Sequence, residues 1–342
     1  MSISTHGLGL WCSSGVHPRS INVHIVYQRC SKLSAQPPPS YKEPDAFCDA
    51  CGGMVCYVDD ATYSAGLKDP EMLSEVLSNQ YETISNYMVS NKLVINDDKT
   101  QLLVLGTRVN KAIREQVNMQ AGVRTIRPAK NGKLLGCEVS DDLKWKHHIL
   151  ESEQSMIKQL TSRINGLALV ASRADFRTRL MVANGIVVSK LCYLIQLWGG
   201  CEGYLLHSLQ VLQNRAARSV TGFSGFTSTR RLMVACGWLS VKQLVVFHTV
   251  TMVYKTLRSR SPAYLHSRLS STPHPFRTRQ SSTGSIRQDE TFRCKSNLPS
   301  DSMRYRGTIE YNRIPPDIRA IPTLATFKTK LRQWVKLNIG LD

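Results

Sequence analysis

The change in hydrophobic periodicity near residue 145 constrains the fold more than any other feature of the sequence. From about residue 54 to 145, short apolar runs alternate with tight polar turns, a pattern typical of antiparallel strands. Beyond that point, apolar residues recur at spacings of three and four, which is the periodicity of a helix with one buried face. We therefore predict an α+β fold, in which a small mixed unit precedes an all-helical region.

Composition divides the chain into five segments. Residues 1–45 are rich in Ser and Pro and show no sustained periodicity, so we expect low order there. The mixed unit occupies residues 46–145 and the helical region residues 146–258. Residues 259–300 are rich in Ser, Thr, Arg and Pro, which predicts a basic linker. Residues 301–342 form a C-terminal extension that ends in a short helix.

Two adjacent aspartates lie between the first two apolar runs, in "MVCYVDDATYSA" at residues 54–65. We predict a β-hairpin whose tip carries Asp59 and Asp60. Neighbouring residues of a strand face opposite sides, but a turn breaks that alternation and allows both carboxylates to approach one metal ion. Taken alone, such a pair is more often solvated or engaged in capping, and the spacing leaves both interpretations open.

Three further features complete the predicted mixed unit. A helix starts near Pro70, with apolar residues at three- and four-residue spacing. "KLVIN" and "QLLVLG" predict a second hairpin joined by "DDKT", and "GKLLGCEVSDDLKW" predicts a third strand segment followed by a turn. In the helical region, the longest helix predicted from an apolar run covers residues 176–198.

The charge balance favours a polyanionic partner. Lys and Arg number 44 against 25 Asp and Glu, which gives a net charge of +19. Nucleic acid is the first candidate and an anionic membrane surface the second. The longest apolar stretch, residues 180–200, contains Asn184, Lys190 and Gln196, so we interpret it as a buried helix and not as a membrane span.

No charged segment followed by an apolar core opens the sequence, so we expect a chain that is not secreted. Its cysteines are then expected to be reduced. Cys48, Cys51 and Cys56 offer a C-x-x-C without an evident fourth ligand, and we do not predict a zinc site there.

Several motifs in order resemble those of one family. "CYVDDATYS", "SNKLVINDDKTQLLVLG" and "KLLGCEVSDDLKWKHHI" resemble the end of the palm of reverse transcriptases from non-LTR (LINE or jockey-like) retrotransposons. "YLIQLWGG", "LQVLQNRAARSVTG", "CGWLSVKQL" and "RYRGTIEYNRIPPDIRAIPTLATFKTKLRQWV" resemble C-terminal segments of the same polymerases. The resemblance implies a partial palm of β-hairpins and a helix, followed by a helical thumb and a C-terminal extension.

The resemblance also implies a function and its cofactor. The intact relatives are RNA-directed DNA polymerases, which transfer deoxynucleotides from their triphosphates to a DNA primer on an RNA template. Asp59 matches the metal-binding acid of the Y-x-D-D box and Asp60 its second acid, so both are implied ligands of Mg²⁺. By the same resemblance, the location is nuclear or cytoplasmic.

Other residues are assigned roles only through the resemblance. Tyr57 matches the residue that packs near the primer end. Lys99 matches a palm lysine that is a candidate proton donor to departing pyrophosphate, although a lysine exposed in a turn fits equally well. Leu135 and Gly136 match the primer-grip turn, and a simple tight turn is the alternative.

In the thumb-like region, four basic residues are candidates for contact with duplex phosphates. Each of them fits a solvated helix face as well. They are Lys158, Arg163, Arg215 and Arg218.

The resemblance is incomplete before the acidic box. A reverse-transcriptase palm requires a further aspartate on an earlier strand, together with fingers, and the stretch before Asp59 is far shorter than the family uses. We therefore expect weak Mg²⁺ binding and no catalysis by the chain alone. A shift of one base in a coding sequence for "YQRCSK" can read "TNDVP", similar to a family stretch, so we hypothesise that residues 1 to about 35 are read out of frame.

Two other functions compete with a polymerase fragment. The first is a basic nucleic-acid-binding protein without catalysis, and the second is a helical scaffold whose charge serves solubility. A steep salt dependence of nucleic-acid affinity would separate them.

Overall fold

The fold is mixed α+β, as the sequence predicted. The computed structural model describes residues 21–27, 53–57, 60–67, 69–93, 95–105, 111–269, 286 and 302–340. The chain divides into two compact units, Met1–Trp145 and Lys146–Asp342. All described strands belong to the first unit, and the second is helical in its described residues.

The first unit contains eight described strands and two α-helices. The strands are β1 (Ile21–Tyr27), β2 (Gly53–Tyr57), β3 (Asp60–Leu67), β4 (Gln101–Leu105), β5 (Met119–Ala121), β6 (Arg124–Ile126), β7 (Asn131–Leu134) and β8 (Cys137–Ser140). The helices are α1 (Pro70–Ser90) and α2 (Lys111–Gln116), and a 3-10 turn covers Asp97–Lys99.

The main sheet has four antiparallel strands in the order β2-β3-β1-β4. The earliest of the described strands, β1, therefore separates β3 from β4, and α1 lies between these two in the sequence. This is the split arrangement in which a helix crosses over a central strand. β5–β6 and β7–β8 form two separate two-stranded hairpins.

β1 lies within residues 1–45, where the sequence analysis predicted no regular element. Its partners β3 and β4 are distant in sequence, so no local turn signal marks it. The alternation Ile21, Asn22, Val23, His24, Ile25 is a strand pattern of period two.

The second hairpin predicted from "KLVIN" and "QLLVLG" is wrong. In the described part of residues 91–100, Asn91 is the C-cap of helix α1, Leu93 is buried and Asp97–Lys99 forms the 3-10 turn. β4 pairs with β1 instead. Leu93 and Ile95 thus pack into the core beyond the end of α1.

The two faces of the sheet have different coverings. Ala61, Tyr63 and Ala65 of β3 pack with Leu102 and Val104 of β4 against α1 in the main core of the unit. On the opposite face, Leu103 and Leu105 of β4 pack against Val139 of β8. The β7–β8 hairpin therefore covers part of the face that α1 leaves open.

Helix α1 forms where its capping and apolar signals agree. Asp69 is the N-cap and accepts a hydrogen bond from the Glu71 N–H at 3.0 Å, and Pro70 occupies the first turn. The buried face consists of five residues, each stabilising the fold by about 1.5–3 kcal/mol when fully buried. They are Leu73, Leu77, Tyr81, Ile84 and Met88.

The second unit is built from eleven described α-helices. They are α3 (Met156–Ala171), α4 (Phe176–Ala183), α5 (Ser189–Cys192), α6 (Ile195–Trp198), α7 (Gly203–Thr221), α8 (Thr229–Cys236), α9 (Val241–Ser259), α10 (Ala263–Leu269), α11 (Met303–Arg313), α12 (Pro316–Arg319) and α13 (Leu324–Asn338). Two π-helical turns cover His147–Glu151 and Asn184–Val188.

Helix α9 is the centre of this unit. Ser240 and Gln243 form a reciprocal capping box at its start, and the Gln243 Nε2 donates to the carbonyl of Ile339 at 2.9 Å. Further along, Tyr254 stacks on Phe327 of α13, with ring centroids 3.7 Å apart. These contacts fix the last helix of the chain against α9.

The single helix predicted over residues 176–198 is interrupted. The chain passes from α4 through a π-helical turn into α5, then reverses its backbone at Leu194, whose φ is +54°. The Trp198 Nε1 donates to the Tyr193 carbonyl at 2.8 Å and so gives a hydrogen-bond partner to a carbonyl at the end of α5. Apolar periodicity alone does not reveal such a change of direction.

Within the described ranges, no single helix is long and apolar enough to cross a membrane. Helices α8 and α9 meet the length and composition criteria only as a pair, and they are bent by 52° at their junction.

Candidate functional site

The hairpin β2–β3 carries the acidic box at one end of the main sheet. Tyr57 ends β2, Asp60 begins β3, and the two residues are the last partners of the ladder. Val58 and Asp59 connect them and lie outside the described residues. Of the two predicted metal ligands, Asp60 is thus placed at the end of a strand beside a two-residue connection.

Tyr57 and Asp60 share the sheet face that α1 does not cover. Ala61 and Tyr63 pack toward α1, and side chains alternate along a strand, so Asp60 lies on the opposite face. Directly paired residues share a face, which places Tyr57 beside it. Tyr57 is 37% exposed and Asp60 is partly buried.

Lys99 lies at the same end of the sheet as Asp60. Val26 of β1 pairs with both Thr62 and Gln101, so β4 begins level with the hairpin end of β3. Lys99 precedes Gln101 by two residues, and β3 and β4 are about 10 Å apart because one strand lies between them. The neighbouring Asp98 forms an exposed ion pair with Arg124 at 2.8 Å, which links the 3-10 turn to β6.

Leu135 and Gly136 form the two-residue turn of the β7–β8 hairpin. Both have positive φ, +47° and +75°, which defines the type I′ turn favoured in two-residue hairpins. The hairpin packs on the face that Asp60 occupies: Gly132 lies against the side chains of Gln101 and Leu103. The Lys133 N–H donates to the Gln101 Oε1 at 3.1 Å. The sequence-predicted residues Tyr57, Asp60, Leu135 and Gly136 are therefore on elements of one sheet face.

The described carboxylates do not provide a two-metal site. β1, the strand beside β3, contains no Asp or Glu in its sequence INVHIVY. In the part of the chain that the structure describes, no group of three His, Cys, Asp or Glu side chains could hold a metal ion. A two-metal centre requires several carboxylates around paired cations, and the described residues do not by themselves form one.

The four basic candidates of the helical unit differ in their surroundings. Lys158 is exposed on α3, and the Nη2 of Arg215 on α7 donates to the Asn165 Oδ1 at 2.7 Å. Asn165 is two turns along α3 from Lys158, so Lys158 and Arg215 lie on one side of the helix pair. Both side chains are exposed, although one nitrogen of the Arg215 guanidinium is engaged by Asn165.

Arg163 and Arg218 are less exposed, and each donates to a backbone carbonyl. The Arg163 Nη1 donates to the carbonyl of Ile186 at 2.8 Å, and the Arg218 Nη2 donates to the carbonyl of Thr227 at 3.4 Å. Each guanidinium is partly buried and satisfies a backbone carbonyl, which is a structural role. The helical periodicity of the sequence carries no information about these carbonyl partners.

One exposed aromatic surface is not marked by any motif or periodicity in the sequence. The connection between α7 and α8 exposes Phe223 and Phe226, and Arg230 and Arg231 follow at the start of α8. The available signal was an aromatic pair in "GFSGFTSTRR" that belongs to no apolar periodicity.

Comparison with protein-family models, with curated proteins and with solved structures gave no match to this chain.

Proposed function

We propose that the chain is the C-terminal part of an RNA-directed DNA polymerase of the LINE type, which binds nucleic acid but does not polymerise alone. The proposal rests on the order of motifs in the sequence. The observation that carries it furthest is the register that places Asp60 opposite Tyr57 at the end of a hairpin beside β1. In the proposed palm, a central strand neighbouring the acidic hairpin is the expected arrangement.

The geometry of the sheet supports a nucleic-acid face. Helix α1 covers one face, and Tyr57 and Asp60 lie on the other, with the β7–β8 hairpin beside them. A primer terminus requires an accessible surface next to the acidic hairpin and a backbone turn that can approach it closely. The Leu135–Gly136 turn is the candidate for that approach.

Loss of catalysis follows from the missing carboxylate. β1 occupies the position next to the acidic hairpin, yet no residue of INVHIVY can ligate a hard cation through a carboxylate. Asp60 is therefore without a carboxylate on this neighbouring strand to share a pair of cations. Tyr57, Asp60 and Lys99 then position nucleic acid at this end of the sheet without assembling a reaction centre.

The test measures binding of the full chain to an RNA–DNA hybrid with a recessed DNA 3′ end and to the same hybrid with blunt ends. We expect several-fold tighter binding to the recessed end, and we expect Tyr57→Ala to remove that preference. Tyr204→Ala is the matched control, because Tyr204 is also an exposed tyrosine but lies in the helical unit. No primer extension is expected in Mg²⁺.

Two results would contradict the proposal. Extension by the wild-type chain that Asp60→Asn abolishes would show that the site is catalytically complete. Equal binding to both hybrids, unaffected by Tyr57→Ala, would leave only the alternative of a basic nucleic-acid-binding protein. Residues 203–288 contain no Asp or Glu, which favours a nucleic-acid-binding protein over a helical scaffold whose charge serves only solubility.

A further inference from the structure

The connection between α7 and α8, residues 222–228, exposes two phenylalanines in the space of four residues. We call this connection the aromatic loop. Phe226 is 102% exposed and Phe223 is 37% exposed. A phenylalanine contributes about 1.5–3 kcal/mol when it is fully buried, so Phe226 forgoes this stabilisation and Phe223 forgoes part of it. Single exposed apolar residues need no explanation, but a pair on one short loop suggests a partner.

The aromatic loop is held in place by its own hydrogen bonds. Gly222 ends α7 in the left-handed region at φ +72°, and its N–H donates to the Arg218 carbonyl at 2.8 Å. The Thr227 N–H donates to the Ser224 carbonyl at 3.1 Å, which closes a turn around Phe226. Ser228 then caps α8.

Side chains of α7 hold the aromatic loop and the start of α8 by hydrogen bonds. The Arg218 Nη2 donates to the Thr227 carbonyl, and the Asn214 Nδ2 donates to the Thr229 Oγ1 at 2.8 Å. Phe226 is thus presented by an ordered turn with bonds to both helices. An ordered presenting segment loses little conformational entropy on binding, which favours a recognition role.

The aromatic loop lies in a part of the sequence that carries positive charge without carboxylates, which favours a polyanionic ligand. No Asp or Glu occurs from residue 203 to residue 288, a range that includes α7, the aromatic loop, α8 and α9. Arg230 and Arg231 are exposed in the first turn of α8, and the Arg231 guanidinium lies over the Phe223 ring at 5.2 Å. The loop therefore combines aromatic rings with positive charge, and no carboxylate in this range offsets that charge.

We propose that the aromatic loop is a binding site for single-stranded nucleic acid, in which unpaired bases stack on Phe226 and Phe223 while Arg230 and Arg231 contact phosphates. Aromatic side chains beside basic residues are the two components of sequence-tolerant single-strand binding. Bases of a duplex are already stacked on each other, so their faces are closed to these rings. This inference rests on the proposed function only in taking nucleic acid as the partner.

An anionic membrane is the competing occupant of an Arg- and Phe-containing surface. Insertion into a membrane interface uses an extended apolar face. Here Ser224 and Gly225 separate the two rings, and Thr227 and Ser228 follow them. The short polar loop suits individual bases better than acyl chains.

The experiment uses the full chain and fluorescence anisotropy with three labelled probes: an oligodeoxythymidine of about 12 nucleotides, an abasic strand of the same length, and a blunt duplex. We expect Phe226→Ala to weaken binding of oligodeoxythymidine about tenfold and to leave the abasic strand and the duplex unchanged. Phe226→Trp should retain the affinity. Phe176→Ala, at an exposed phenylalanine of α4, is the matched control and should have no effect.

A second variant tests the charge component. Arg230→Gln should weaken binding of both single strands and lower the slope of log affinity against log salt by about one. Thermal melts monitored by circular dichroism should be the same for all variants, since the substituted side chains are exposed.

The outcomes separate this inference from the proposed function. Equal losses for oligodeoxythymidine and the abasic strand, or no loss with Phe226→Ala, would overturn base stacking while the recessed-end preference could still hold. Binding of phosphatidylserine vesicles that depends on Phe226 and exceeds single-strand binding would assign the loop to membranes. Absence of all nucleic-acid binding would overturn both proposals.

Discussion

Arg163 on α3 donates from its Nη1 to the carbonyl of Ile186 at 2.8 Å, in the π-helical turn that follows α4. The bond ties the irregular part of that helix to its neighbour. A π-helical turn widens the spacing of backbone hydrogen bonds and leaves carbonyls in need of donors. The guanidinium of Arg163 therefore supports local structure and is not free for a phosphate.

Substitution by Gln should affect different properties at Arg163 and at Lys158: stability at the first and the salt dependence of binding at the second. Arg163→Gln should lower the free energy of unfolding by about 1–3 kcal/mol, since it removes a charged donor from a partly buried carbonyl. The salt slope of nucleic-acid affinity should not change. Lys158→Gln should leave stability within about 0.5 kcal/mol and lower that slope by about one.

Urea denaturation and salt titration of binding measure these two effects. A reduced salt slope with Arg163→Gln at unchanged stability would show that its side chain reaches phosphate after all.

The turn of the β7–β8 hairpin should be improved by substitution at Leu135. A leucine at φ +47° bears a steric penalty that Asn largely avoids, and type I′ turns favour Asn followed by Gly. Leu135→Asn should raise the free energy of unfolding by about 0.5–1 kcal/mol. Gly136→Ala, at φ +75°, should lower it by about 1 kcal/mol.

Chemical denaturation of both turn variants provides the comparison. If Leu135→Asn is destabilising, the leucine side chain contributes more by packing than its backbone conformation costs.

Gly307 on α11 is required by the close approach of α9. A Cβ at this position would lie 2.8 Å from the Val253 Cγ2, and Val253 is fully buried. Gly307→Ala should therefore lower the free energy of unfolding by about 1–2 kcal/mol, despite the better helix propensity of Ala.

Gly166 on α3 is the natural counterpart of Gly307. A Cβ there would meet no atom within 4 Å. Gly166→Ala should raise stability by about 0.5–1 kcal/mol through helix propensity alone. Thermal melts of the two variants should shift in opposite directions, and a shift in the same direction would refute the proposed close approach.

His248 should make the stability of the helical unit depend on pH. Burial, with Lys328 and Arg332 nearby, lowers the pKa of His248 to about 4 from its usual 6.5. The unfolded chain therefore takes up this proton first as the pH falls, so stability is lost between about pH 6.5 and about pH 4. Between about pH 7 and about pH 5 the loss should amount to about 2 kcal/mol.

His248→Phe should remove that part of the pH dependence. Denaturation curves at the two pH values, for wild type and variant, isolate the contribution of this residue from other titrating groups. The same pH dependence in both proteins would mean that His248 is accessible to protons in the folded state.

Sequence patterns were sufficient for elements whose signals are local. The apolar spacing and Pro70 located α1, and the two short runs around the acidic pair located β2 and β3. β1 was not predicted because its partners lie far along the chain, so no local turn signal accompanies the short alternating pattern that begins at Ile21. The misassigned "KLVIN" shows the converse, since Leu93 is apolar because it closes a helix.

The candidate site was predictable in part for a similar reason. Motif spacing placed Tyr57 and Asp60 in a hairpin, but the face they share depends on the packing of α1 behind the sheet. A basic residue on a helix has the same sequence signature whether it binds a phosphate or a backbone carbonyl. That ambiguity made Arg163 and Arg218 indistinguishable from Lys158 and Arg215 until their partners were located.

The position of β1 has a consequence for how the sheet is assembled. Its main chain bridges β3 and β4, which are otherwise left with a gap one strand wide. A peptide of sequence INVHIVY supplied in trans would have the right length and register to occupy this gap in a chain cleaved after Tyr27. The sheet can in this sense bind its own strand β1, and exchange of that strand between two copies would link them as a domain-swapped dimer.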